Sequence, residues 1–92
     1  MKRKSTGFLF EGAGARYVFE VETTLDYIAL RARFEETYEG EVYDVREQGQ
    51  NIYYVTYETR NQMIHNLADE CNRNGGVTMH GYRVKLLYSE PF

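Results

Sequence analysis

An α+β fold, with an antiparallel four-stranded sheet backed by two helices on one face, is what this sequence predicts. Three observations carry the prediction. Four segments alternate apolar and polar residues with period two, two others repeat apolar residues at helical spacing, and the six run strand, helix, strand, strand, helix, strand. A chain of 92 residues holds one such core and no second one.

Residues 1–15 precede the regular pattern and are read as a terminal arm, either mobile or adding a short strand. MKRKSTG is basic and small, and FLFEGAGA sets Phe8, Leu9 and Phe10 before a glycine–alanine stretch. The domain proper spans 16–91. Its first strand is RYVFEVE (16–22), with Tyr17, Phe19 and Val21 on one face and Val18, Glu20 and Glu22 on the other. Thr23 and Asp26 approach a capping box, and Tyr27, Leu30, Phe34 and Tyr38, widened by Ile28 and Ala32, predict a helix from about Leu25 to Tyr38 that Gly40 ends.

EVYDVRE (41–47) and NIYYVTY (51–57) are β-rich runs joined through Gln48, Gly49 and Gln50, a length suited to an antiparallel hairpin. A second helical pattern begins from Thr59, with Met63, Ile64, Leu67, Ala68 and Cys71 as its apolar face and Gly75 and Gly76 as its stop. The last strand is YRVKLLYS (82–89). Right-handed crossovers between strands of one sheet bring both helices to the same face, so the order implies a ferredoxin-like βαββαβ sandwich whose other sheet face is open.

Composition narrows the function. The net charge is -3, which disfavours strong non-specific attraction to nucleic acid. Mean hydropathy is -0.62 and no run of about 18 apolar residues occurs, so no membrane span is expected. The start of the chain lacks the apolar stretch of a signal peptide, and an intracellular location is expected, with nothing to choose between nucleus and cytoplasm. The end at Phe92, directly after the last strand, reads as a module cut from a longer chain.

Cys71 is the sole cysteine, which excludes an internal disulfide, and its spacing from Ile64, Leu67 and Ala68 makes it a core residue. His65 and Asp69 are four apart on one helix and read as a surface pair. No convergent set of titratable groups suggests catalysis, and no metal or cofactor is expected.

The third strand is the informative one. Tyr53, Tyr54 and Tyr57 put three of nine tyrosines into five positions, and alternation sends Tyr53, Val55 and Tyr57 toward the helices and Ile52, Tyr54 and Thr56 to the open face. An outward tyrosine in mid-sheet is a platform on which a base can stack, worth about 1–3 kcal/mol per base.

On these residues the chain resembles the RNA recognition motif family. QNIYYVTY (50–57) is similar to its octamer, K/R-G-F/Y-G/A-F-V-x-F/Y, with Tyr54, Val55 and Tyr57 on the fifth, sixth and eighth positions. GEVYDVRE and GGVTMHGYRVKLLYSEP resemble the family's second strand and its closing loop and strand; with YETRNQM they look most like the Mei2-type subgroup. The resemblance covers roughly Arg16 to Pro91. It implies single-stranded RNA bound on the open sheet by Tyr54, Ile52, Thr56, Val18, Arg46, Lys85 and Leu87, without enzymatic activity.

The departures from the family pattern are specific. Gln50 stands in place of a cation, Asn51 of glycine and Ile52 of an aromatic, while Glu20 brings a carboxylate that repels phosphate by about 1 kcal/mol at contact in water. A protein-interaction or dimerisation module of the same fold, with little RNA affinity, is the alternative, because Val18, Ile52, Tyr54 and Leu87 make an apolar strip that also suits a protein surface.

Overall fold

A computed structural model describes residues 14–38, 42–79 and 81–91. The expectations for the arm 1–13, for Gly40 as a helix stop and for the final residue lie outside these. The described chain runs β1 (Ala15–Thr23), α1 (Tyr27–Tyr38), β2 (Asp44–Gly49), β3 (Ile52–Thr59), α2 (Gln62–Asn74), β4 (Val77–Met79) and β5 (Tyr82–Pro91). It is an α+β arrangement of one antiparallel sheet, in the order β2-β3-β1-β5-β4, and two helices. The sheet therefore has five strands, not the expected four. The extra strand, β4, is three residues long, too short for alternation to reveal, and it turns through Gly81 at φ 88° to pair Met79 with Tyr82. No helix among the described residues is long and apolar enough to cross a membrane.

Parity decides the core. In β1, Tyr17, Phe19 and Val21 are buried and stand opposite Tyr57, Val55 and Tyr53 of β3. Both helices pack on this side: Phe34 of α1 stacks on Tyr57 at 6.3 Å and tilts against Tyr82 at 5.1 Å, while the Cys71 thiol of α2 lies 3.6 Å from the Val84 carbonyl. Burying aromatic rings in tilted and edge contacts adds to the apolar area removed from water.

The helix on the first crossover is narrower than its pattern suggested. Leu30, Phe34 and Tyr38 are buried at i, i+4 and i+8, whereas Tyr27, Ile28 and Ala32 are exposed, Ile28 by 76%. Its cap is Asp26, whose Oδ1 accepts from the Ala29 N–H at 2.8 Å. Thr23 instead closes the preceding turn, accepting from the Leu25 N–H and donating to the Gly81 carbonyl.

The second helix starts later than Thr59. Asn61 caps it by accepting from the Met63 N–H at 2.7 Å, and the same side chain donates to the Tyr38 carbonyl at 3.0 Å, joining the end of α1 to the start of α2. Gly75, at φ 74°, ends it in the left-handed conformation that a side chain resists. His65 and Asp69 are not a surface pair. Both are buried, with the Tyr17 hydroxyl hydrogen-bonded to His65 Nδ1 and Asp69 held by Arg73 at 3.1 Å.

Candidate functional site

The face of the sheet away from the helices is built by the residues that alternate with the core. Register lays them out in lateral rows. One row runs Arg46, Tyr54, Glu20, Lys85 across β2, β3, β1 and β5; the next runs Asp44, Thr56, Val18, Tyr88. Beyond the second row Arg16 stands between Glu58 and Glu90, and beyond the first Glu22 stands between Ile52 and Arg83. Of the residues expected here, Val18, Ile52, Tyr54 and Thr56 are half-buried while Arg46 and Lys85 are exposed.

Leu87 is 46% exposed and sits at an irregularity of the sheet. A bulge between Val18 and Phe19 and their partners pairs Phe19 with Leu86 and Val18 with Tyr88, which leaves Leu87 without an opposite residue on β1. Leu86 keeps the parity of Tyr82 and Val84 and packs against the core; the extra residue reverses parity beyond it, so Tyr88 stands opposite Val18 on the open face. Continued alternation from Lys85 would have sent Tyr88 inward.

Tyr88 is 50% exposed, and Tyr43, just before β2, is 62% exposed. The backbone N–H of Tyr43 donates to the Thr56 carbonyl, which fixes it at the margin of the sheet. With Tyr54 these rings surround a shallow concavity of about 420 Å³ whose lining also includes Val18, Thr56 and Arg46. Sequence reasoning named Tyr54 alone. The signal for Tyr88 was the run Leu86-Leu87-Tyr88, three apolar residues that a strict two-residue period cannot accommodate on one buried face.

The charges of this face are largely matched. Arg16 is bound to Glu58 and, at 3.3 Å, to Glu90; its guanidinium is held above its usual range chiefly by the hydrogen bond to Glu58. Arg46 donates through Nε to Asp44 at 2.8 Å. Tyr88 donates its hydroxyl to Glu90, and that hydrogen bond raises its pKa. Among the described residues, Lys85 and Glu20 have no such partner.

The larger concavity, about 580 Å³, lies between α1 and the β4–β5 hairpin and is lined by Arg33, Thr37, Thr78, Met79 and Tyr82. Its lining among the described residues holds no pair of acid and base groups that could share a proton transfer. No cluster of three or more His, Cys, Asp or Glu suited to a metal occurs among the described residues. The Cys71 thiol is buried and pushed up to about 11 by desolvation, which makes it a poor nucleophile.

What the open face offers is flat aromatic area with hydrogen-bonding groups between the rings. Comparison with known families, with curated proteins and with solved structures found no match to this chain.

Proposed function

We propose that the chain is a single-stranded RNA-binding module of the RNA recognition motif type, gripping bases on the open sheet. The observation that carries this reading is the set of three tyrosines, Tyr43, Tyr54 and Tyr88, around one concavity on the face opposite the helices. Stacking on a ring is tolerant of sequence and is the main source of affinity where cations are few. The ferredoxin-like reading is supported by the β2-β3-β1-β5 order with both helices on one side, β4 being a short addition to the edge of β5.

Tyr88 supplies the second platform that β1 lacks. In the octamer comparison Ile52 replaces one stacking aromatic and Glu20 lies where β1 would offer another. The bulge on β5 restores an aromatic to the neighbouring row.

A second reading, a module that packs this face against a protein partner or a second copy of itself, draws on the ion pairs. Arg16 and Arg46 already have carboxylate partners, so the face attracts phosphate weakly.

A titration of labelled mixed-sequence single-stranded RNA, followed by anisotropy at several salt concentrations, separates the two. RNA binding predicts a shallow salt dependence, a log–log slope of about −0.7 to −1.4 for the one or two cations left to meet phosphates. Tyr54→Ala should weaken binding by roughly 5- to 150-fold, the range of one lost stack. No binding by the wild-type protein, together with a concentration-dependent dimer in sedimentation, would establish the second reading instead.

A further inference from the structure

We infer that the row Arg46, Tyr54, Glu20 is a guanine site, with the base laid on the Tyr54 ring, its Watson–Crick edge toward Glu20 and its Hoogsteen edge toward Arg46. The inference rests on the RNA-binding reading and specifies which base that surface takes.

Register supplies the geometry. Tyr54 stands directly opposite Glu20 on one side and Arg46 on the other. The strands that carry these two residues are about 10 Å apart, room for one base with a hydrogen bond of about 2.9 Å at each end.

The chemistry of the flanks is complementary to guanine and to no other base in both directions. Glu20 is half-buried and, among the described residues, makes no hydrogen bond or ion pair. An ionised carboxylate only accepts, and it accepts best from two parallel N–H groups. Guanine presents such a pair, the N1–H and the 2-amino group. Adenine and cytosine each set one amino group beside a ring nitrogen that is itself an acceptor, and uracil sets its one N–H between two carbonyls that a carboxylate repels.

On the other side, Arg46 uses its Nε–H for Asp44 and has a side chain 75% exposed, so its terminal N–H groups remain to donate to O6 and N7. The carboxylate that the family comparison marks as a liability is thus the specificity element.

The test uses four RNA pentamers of uridine with guanine, adenine, cytosine or uracil at the centre, and a fifth with inosine there, which lacks the 2-amino group. The wild-type protein should bind the guanine pentamer about tenfold more tightly than the other three standard pentamers, with inosine losing most of that margin. Glu20→Gln, checked for folding by circular dichroism, should cut the guanine margin to about threefold, the part that Arg46 reads, while retaining adenine binding.

If none of the pentamers binds, the RNA-binding reading fails and this inference with it. Equal binding of all four by the wild-type protein overturns the guanine assignment alone. A guanine preference that survives Glu20→Gln undiminished, or that inosine keeps in full, removes Glu20 from the site.

Discussion

Replacing Tyr88 by leucine and, separately, Leu87 by alanine puts the bulge on β5 to a direct test. With the bulge in place Tyr88 borders Val18 on the open face and Leu87 has no opposite residue; without it Leu87 would stand opposite Val18 and Tyr88 would turn inward. Tyr88 is half covered, so of the roughly 200 Å² that an aromatic side chain can bury about 100 Å² is lost on full truncation, at most about 2.5 kcal/mol at ~25 cal/mol/Å². Leucine keeps most of that area and removes the ring, so Tyr88→Leu should cost less than about 1 kcal/mol in urea unfolding. Its effect on RNA affinity should be far larger, about 1–3 kcal/mol for one stack, or roughly 5- to 150-fold in Kd by anisotropy. Leu87→Ala should leave Kd within about twofold. Loss of binding in Leu87→Ala with none in Tyr88→Leu would refute the assigned register and the platform built on it.

Three further outcomes follow from the core. Tyr57 is 1% exposed and its hydroxyl has no hydrogen-bond partner among the described residues, so Tyr57→Phe should leave stability unchanged or raise it by about 1 kcal/mol in denaturant unfolding, where most core substitutions lower it. Asn61→Ala removes the α2 cap and the link to Tyr38 together, and should cost about 1–2 kcal/mol in the same measurement. Desolvation raises the Cys71 thiol from 9.0 to about 11 and the Tyr17 phenol from 10.0 to about 12. The unfolded chain ionises first, so this stability is fully present below pH 9 and is lost as pH rises through 11 and 12. A thermal melt series from pH 8 to about 12 should show Tm falling steadily above 9, and a flat profile would mean these groups are not desolvated.

Alternation made the core strands legible. Tyr17, Phe19 and Val21, and Tyr53, Val55 and Tyr57, could be assigned to one side before any coordinates, because a two-residue period forces the choice once one large residue is placed. What alternation cannot report is its own interruption. The bulge at Leu87 inserts one residue without altering composition, and only the pairing of β5 with β1 reveals that Tyr88 changes sides. The strand β4 escaped for a related reason, since Val77–Met79 is shorter than the period needs. His65 and Asp69 were misplaced by residue type: polar residues at i and i+4 usually face water, but here Tyr17 on β1 supplies a buried partner that lies 48 residues away in sequence. Helix starts were read within a few residues; the cap Asp26 was missed because Thr23 offered the same chemistry slightly earlier, and Asn61 because the helical pattern was read from Thr59.

The brevity of β4 has a consequence for how this chain behaves when crowded. It pairs with β5 only from Tyr82 to Val84, so among the described residues Lys85 to Pro91 have no neighbour on their outer flank. A row of bare amides and carbonyls that long invites another extended chain to zip alongside. The irregular step at Leu87 and Pro91, which has no N–H to donate, break that template at two points.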